Sequence, residues 1–209
     1  MKRPFPIVAT IVVGLAAAAM VALGFWQLAR LKEKEAALAL YRANLTAPAT
    51  AYPVMNPADD RYLFRTLEAN CLRVTGWQIR GGRMPDGGPG WRHIATCATG
   101  GEGPGLLVDM GVGADPHGTV AWTGGPVRGR AAHEPDSYSF VVRLLGKLPP
   151  LRLMIVAQTP APGLRASPLP DPSSVPNNHL SYAVQWFFFA TVALVIYALA
   201  LRKRGREGK

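Results

Sequence analysis

Two apolar stretches decide the fold: FPIVATIVVGLAAAAMVALGFWQL at residues 5–28 and YAVQWFFFATVALVIYALAL at residues 182–201. Neither stretch contains a charged residue, and each has the roughly 20 apolar residues that a helix needs to cross a bilayer. A helix satisfies its own backbone hydrogen bonds over such a length, which is necessary where water is absent. The sequence therefore predicts two transmembrane helices, one near each end of the chain.

The first stretch also has features of a cleaved secretory signal. Lys2 and Arg3 precede it, and Ala16-Ala17-Ala18 would serve as a cleavage site. The apolar core of a signal is only about 7–15 residues long, whereas this one continues past twenty to Trp26. We therefore expect the segment to be retained as an anchor. Because no Arg- and Ser-rich transit segment precedes it, we expect a bacterial inner membrane rather than an organelle.

The net charge of +10 is concentrated at the membrane flanks. Residues 1–30 and 179–209 carry eight basic residues and one acidic residue, whereas residues 31–178 carry 15 basic and 12 acidic residues. The central region therefore lacks the basic stripe with interleaved aromatic residues that is typical of nucleic-acid-binding proteins. We expect no nucleic-acid partner.

The flanking charges also predict an orientation. Lys2 and Arg3 precede the first span, and the basic run 202–206 follows the second. The positive-inside rule places both termini in the cytoplasm and the region between the spans in the periplasm. Basic residues after the first span, at positions 30–34, oppose this arrangement, but Glu33 and Glu35 partly neutralise them.

Between the spans, the sequence predicts a β-rich domain. Residues 67–74 alternate between apolar and polar side chains, as in a half-buried strand. Five further short segments are bounded by Gly or Pro and predict strands at 92–98, 105–112, 119–130, 138–145 and 151–158. A short helix within Ser137–Leu148 is the alternative for the fifth of these. We expect a membrane-anchored α+β protein with an antiparallel sheet or a small barrel.

The chain is accordingly divided into seven segments. They are a cytoplasmic tail 1–4, a transmembrane helix 5–28, a helical extension and loop 29–60, a periplasmic β-rich domain 61–159, a proline-rich linker 160–178, a transmembrane helix 179–201 and a basic cytoplasmic tail 202–209.

The central domain contains few motifs that indicate catalysis. It has neither a Gly-x-Ser-x-Gly elbow nor a phosphate-binding Walker loop. Cys71 and Cys97 are too far apart for a Cys-x-x-Cys pair, and they either form a structural disulfide or remain two buried thiols. The spacing of His93, His117 and His133 does not match a zinc site, so we interpret them as ordinary histidines.

The start of the second span is the most informative region. Pro176 and two asparagines form a helix-start signal, which places His179 in the first turn at the outer membrane face. At about 100° per residue, Tyr182 and Trp186 share the face of His179, and Trp186 lies about 10 Å deeper. Trp26, next to Gln27, lies at the corresponding outer end of the first span. We call this outer end of the two spans, around His179 and Trp26, the lip. These side chains would hold a flat apolar ring with the imidazole on its metal.

Two simpler interpretations of these spans remain open. Aromatic residues collect at membrane interfaces without binding a ligand, and a histidine there is also an ordinary interfacial residue. On the first span, Gly14 and Ala18 form a small-xxx-small step, which predicts close helix packing through those two residues.

Two motifs resemble the Surfeit locus protein family of cytochrome c oxidase assembly factors. LGFWQLAR at 23–30, followed by Lys34, matches the Leu-Gly-x-Trp-Gln-x-x-Arg pattern of the family, and NNHLSYAVQWF at 177–187 matches its second signature. In the central domain the likeness is weaker. LLVDMGV at 106–112 occupies the place of a Leu-Val-x-Arg-Gly-Trp run, and no role of that arginine or tryptophan is transferred to this chain.

The resemblance implies a non-enzymatic function in oxidase biogenesis, as a haem chaperone of the respiratory chain. It implies transient binding of haem a, with His179 as a ligand of the haem iron and Tyr182, Trp186 and Trp26 around the macrocycle. The expected partners are the large catalytic subunit of the oxidase and haem a synthase. Two alternatives remain: a haem-independent scaffold for an oxidase intermediate, and a membrane-anchored hydrolase.

Overall fold

The computed structural model describes residues 6–100, 105–146 and 148–207. Within this part of the chain there are three α-helices: α1 (Ile7–Thr46), α2 (Phe140–Leu145) and α3 (His179–Glu207). The seven strands are β1 (Thr50–Ala51), β2 (Thr66–Cys71), β3 (Arg73–Arg83), β4 (Pro89–Ala98), β5 (Leu106–Gly113), β6 (Gly125–His133) and β7 (Leu153–Ala157). The predicted tail 1–4 and the last two residues of the tail 202–209 lie outside the described residues.

The chain forms two compact units. The helical unit takes the chain up to Ala37 and again from Pro176, and the sheet unit comprises Leu38–Val175. In the helical unit, only 11% of the most apolar window of the N-terminal helix and 6% of that of the C-terminal helix is buried within the chain. Core helices of a water-soluble protein are mostly buried, whereas lipid-facing helices leave their apolar surface outside the protein. The chain is therefore a membrane-anchored α+β protein.

The two long helices pack antiparallel along a seam of mostly small residues. Thr10, Ala17 and Gly24 recur every seven positions on α1, and Ala183, Ala190 and Tyr197 do so on α3. At one end of the seam, Thr10 Oγ1 lies 2.5 Å from the Tyr197 hydroxyl oxygen. Ala17, Ala183 and Ala190 are at most 5% exposed. A seven-residue repeat with small side chains permits close approach of two membrane helices.

The predicted packing step at Gly14 and Ala18 is wrong. Both residues are exposed, and a Cβ atom added to Gly14 would have no neighbour within 4 Å. Gly24 occupies the contact instead, because a Cβ atom there would lie 2.6 Å from the ring of Phe187. A four-residue step of small residues is common in an alanine-rich span, and the seven-residue repeat distinguishes the packed face.

The sheet unit contains a single mixed sheet with the strand order β1-β2-β6-β7-β5-β4-β3. Four of the six neighbouring pairs are antiparallel, whereas β1–β2 and β5–β7 are parallel. The β-rich α+β class is therefore confirmed, but the arrangement is not purely antiparallel. Between β5 and β7 the chain forms β6 on the far side of β7 and then returns, which makes β5 and β7 parallel.

The two central strands are apolar and buried on both faces. All five residues of β7 are buried, as are the first seven of β5. Leu106, Val108, Leu153 and Ile155 belong to the larger core cluster, and residues alternating with them, such as Leu107, belong to a second cluster. Continuous apolar runs of this kind are typical of strands covered on both sides.

Three predicted strands differ from the structure. The predicted strand 67–74 is divided at Leu72 between β2 and β3. The predicted strand 138–145 contains α2, in agreement with the alternative helix, and Ser139 Oγ accepts a hydrogen bond from the backbone N–H of Val142 as its N-cap. The predicted strand 119–130 begins only at Gly125. Residues just before it lie against β3 instead, where the Val74 N–H donates to the Thr123 carbonyl at 2.9 Å.

A disulfide joins Cys71 at the end of β2 to Cys97 near the end of β4. Both residues are 1% exposed. Of the two alternatives that the sequence left open, the structure contains the disulfide, and it ties one side of the sheet to the other.

A buried aspartate connects the proline-rich segment to the sheet. Asp109 on β5 is fully buried and accepts from Arg92 Nε at 2.7 Å, from the Gly111 N–H at 3.1 Å and from Ser167 Oγ at 2.9 Å. Arg165 also pairs with Val112 at the end of β5. A buried carboxylate is stable when its oxygens are fully hydrogen-bonded and a cation faces it. Asp109 therefore has a structural role in this chain.

Candidate functional site at the lip of the helical unit

Helix α3 begins at His179 because the residue before it caps the helix. The Tyr182 N–H donates to the Asn178 carbonyl at 3.1 Å, which is the first intrahelical bond and makes Asn178 the N-cap. Asparagine is among the preferred residues at this position. His179 is the first helical residue and is half-buried.

Gln27 of α1 holds the imidazole of His179. The distance between His179 Nδ1 and Gln27 Oε1 is 2.8 Å. Because an amide oxygen only accepts, Nδ1 carries the proton and donates, so the neutral ring has its lone pair on Nε2. Within the part of the chain that the structure describes, Nε2 has no hydrogen-bond partner. An imidazole whose other nitrogen donates to an oxygen is the usual arrangement of a histidine metal ligand.

Tyr182 and Trp186 extend from His179 along the same side of α3. Tyr182 is 49% exposed, and Trp186 is half-buried with its ring 6.5 Å from that of Phe189 in an edge-to-face arrangement. With 1.5 Å per residue, they lie about 4.5 and 10 Å further along the helix than His179. They form an accessible aromatic surface below the imidazole.

Trp26 contacts Arg30 of its own helix. Its side chain is 52% exposed, and the guanidinium carbon of Arg30 lies 5.9 Å from its ring centroid. Gln27, the next residue, occupies the position facing α3, since consecutive helical residues are about 100° apart. The structure thus brings Gln27 to the predicted ligand and places Trp26 at the side of the helical pair.

Above the imidazole lies a cleft of about 310 Å³. It is lined by Arg30, Glu33, Lys34 and Ala37 of α1 together with His179 of α3. Sequence reasoning noted Arg30 and Lys34 as part of a motif and as topology signals, but it did not place them beside His179. Their spacing of four residues on a helix was the available signal, because residues i and i+4 share a face.

The sheet unit has a separate groove of about 780 Å³. Its apolar lining includes Met110, Trp122, Pro126, Pro160 and Pro162, and Glu68 and Arg128 also line it. Those two charged residues form an exposed ion pair across strands β2 and β6. Trp122 is held against Trp77 with ring centroids 6.4 Å apart. An apolar surface with a charged rim is typical of a surface that binds another protein.

Comparison with known proteins identifies one family. The family model that matches is that of the SURF1 family, and the match covers residues 14–191. This range includes the lip, the whole sheet unit and most of the seam, of which Thr10 and Tyr197 lie outside it. No curated protein matches the chain.

Proposed function

Because the chain belongs to the SURF1 family, a family of cytochrome oxidase assembly factors, we propose that it carries haem a. In this proposal it binds haem a transiently at the lip of the helical unit and delivers it to the large catalytic subunit of cytochrome c oxidase. The protein is a haem chaperone and catalyses no covalent step.

The contact between His179 and Gln27 carries the proposal. At 2.8 Å it orients the ring and leaves Nε2 with a lone pair, which is the form of histidine that binds iron. Haem a supplies the iron, and the chain supplies one oriented nitrogen.

The surroundings of His179 suit a cargo that must leave again. The macrocycle of haem a and its long tail are apolar, so they match the accessible rings of Tyr182 and Trp186 and the lipid beside them. The lip offers the imidazole of His179 as a ligand, and the cleft beside it is open. An open site with a single ligand gives weak binding, which permits transfer to a partner that holds haem a more tightly.

The sheet unit is proposed to face the periplasm of a bacterial inner membrane and to recognise the partners. The disulfide between Cys71 and Cys97 supports this location, because such bonds persist in oxidising compartments. The groove around Trp122 is the candidate surface for the oxidase large subunit or for haem a synthase.

The test is the reduced-minus-oxidised haem a spectrum of membranes from a deletion strain. The strain is complemented at matched protein levels with the wild-type gene, His179→Ala, Gln27→Leu or, as a matched control, His117→Ala. His117 is an exposed histidine of the sheet unit. We expect the wild type and His117→Ala to restore the haem a signal. His179→Ala should leave it at the level of the deletion strain, with Gln27→Leu between the two.

Full restoration by His179→Ala would overturn haem delivery and leave the haem-independent scaffold as the function. Loss of the signal on replacing Trp122, with His179→Ala silent, would point to the same scaffold. An unchanged spectrum in the deletion strain would contradict both functions.

A further inference from the structure

The cleft above His179 contains two cations from one helix. Arg30 and Lys34 are one turn apart on α1 and line the cleft together with His179. Glu33 is the only acidic side chain among its lining residues, so the cleft carries a net positive charge. Such a combination of an imidazole and two cations around one opening attracts a ligand with a metal and carboxylates.

The ion pair between Arg30 and Glu33 leaves the guanidinium of Arg30 available to a ligand. Its Nη1 lies 2.6 Å from Glu33 Oε2, with the two side chains 53% and 63% exposed. An exposed i,i+3 ion pair contributes little to stability, because water and salt screen it. A ligand carboxylate can therefore share or replace Glu33. The same guanidinium lies over the ring of Trp26, which limits the orientations that it adopts.

The ammonium group of Lys34 has no polar partner among the described residues. Within the described residues it forms neither an ion pair nor a hydrogen bond, and its side chain is half-buried against the cleft. A half-buried ammonium group without an acidic partner is less favourable than a paired one, so the binding of an anion there is favoured.

Distance along the helix gives the ligand an orientation. Gln27 marks the level of the His179 imidazole. Arg30 is about 4.5 Å and Lys34 about 10 Å further towards the end of α1 at Thr46, at 1.5 Å per residue. Tyr182 and Trp186 lie on the opposite side of the imidazole, deeper along α3. A flat macrocycle with carboxylates on one edge and apolar substituents on the other fits in one orientation only. Its carboxylates then face Arg30 and Lys34, and its apolar edge faces Tyr182 and Trp186.

We propose that Arg30 and Lys34 bind the two propionate groups of the haem cargo, and thereby set its orientation on His179. This inference rests on the proposed function and names the part of the ligand that the cleft recognises. Arg30 supplies a planar fork for one carboxylate, and Lys34 supplies a point charge for the other. Glu33 competes with the cargo for Arg30.

The test compares protohaem with its dimethyl ester, in which both propionates are neutral. Both are titrated into the purified full-length chain in detergent, with the Soret band as readout. The variants are Arg30→Gln, Lys34→Gln, the double variant, Glu33→Gln and His179→Ala. Lys32→Gln is the charge-matched control, because Lys32 is exposed on the same helix and does not line the cleft.

We expect Arg30→Gln and Lys34→Gln each to weaken protohaem binding by roughly tenfold, the typical loss of one charge-assisted hydrogen bond. The dimethyl ester should bind all of these variants equally. Glu33→Gln should bind protohaem more tightly than the wild type, and Lys32→Gln should match the wild type.

Equal binding of protohaem by the wild type and the double variant would overturn the propionate site. An equal loss of ester affinity in the double variant would do so as well, because it would indicate a general structural effect. The proposed function fails separately, when His179→Ala leaves the affinity and the Soret position of protohaem unchanged.

Discussion

Tyr52 illustrates how a single side chain makes the stability of the sheet unit depend on pH. It is 5% exposed, and its hydroxyl donates to the Leu153 carbonyl at 3.0 Å. Burial raises the pKa of Tyr52 to about 12, with Glu134 adding to the effect and Arg152 opposing it. An unfolded tyrosine ionises near pH 10. Its contribution is therefore fully present below pH 10 and is lost as the pH rises from 10 to 12, which lowers the free energy of unfolding by about 2 kcal/mol.

Denaturant unfolding of the full-length chain at several pH values from 8 to 12 measures this effect. Tyr52→Phe should be less stable than the wild type by about 1 kcal/mol at pH 8, because the Leu153 carbonyl loses its donor. Its stability should then fall less steeply above pH 10. Tyr138→Phe, at an exposed position, is the control, and parallel curves for Tyr52→Phe and the wild type would refute the assignment.

The burial of Tyr52 also shows what the sequence does not reveal at this scale. Residues 44–60 have the composition of a loop, and Tyr52 contacts a strand 101 positions later in the chain. The same limit applies to the site. His179 was predicted from its motif and its place at the helix start, whereas its partner Gln27 is 152 positions away. Local patterns identify which residues are unusual but not which of them meet.

At the scale of elements, the predictions succeeded where a local rule operates. The two long helices were predicted correctly because each turn of a lipid-facing helix must be apolar. The strands near 92–98, 105–112 and 151–158 follow from short apolar runs, whereas the alternation at 67–74 continues across the bend at Leu72 that separates β2 from β3. The parallel pairing of β5 with β7 depends on the path of the chain through β6. Periodicity does not encode that path, so the sheet was expected to be antiparallel.

The helix pair provides a prediction with a matched control. Gly24→Leu places a side chain where a single Cβ atom would already lie 2.6 Å from the ring of Phe187, whereas Gly14→Leu adds one to open space. We expect Gly24→Leu to force the helices apart at the lip, since the overlap costs on the order of 1–3 kcal/mol. The contact between Gln27 and His179 should be lost, and protohaem binding should fall severalfold. Gly14→Leu should bind protohaem like the wild type.

A second readout tests whether Gly24→Leu acts through helix packing. A short bismaleimide is used to join cysteines introduced at Thr10 and Tyr197, whose side chains meet in the native chain. Its yield should drop in the Gly24→Leu background and persist with Gly14→Leu. Equal yields in both backgrounds, together with unchanged protohaem affinity, would show that Gly24 is not part of the packed seam.

For the whole molecule, the disulfide and the charge distribution favour the same orientation in the membrane, with the sheet unit on the outer side and the C-terminal end in the cytoplasm. Basic residues after the second span predict a cytoplasmic end, and the bond between Cys71 and Cys97 favours an oxidising compartment for the sheet unit. Cargo binding at the outer lip and partner recognition by the sheet unit would then occur on one side of the membrane. The proposed delivery of haem a would then take place on the side of the membrane that the sheet unit occupies.

Cysteine labelling tests this arrangement, because the chain has only two cysteines and both are in the disulfide. Single cysteines are introduced at His117, an exposed residue of the sheet unit, and at Gly205 near the end of α3. A membrane-impermeant maleimide should label His117→Cys in intact spheroplasts and Gly205→Cys only after permeabilisation. Cys71 and Cys97 should react only after reduction and unfolding. Labelling of Gly205→Cys in intact spheroplasts, with His117→Cys labelled only after permeabilisation, would place the sheet unit in the cytoplasm. The disulfide would not persist there, and haem a would then be bound on the cytoplasmic side of the membrane.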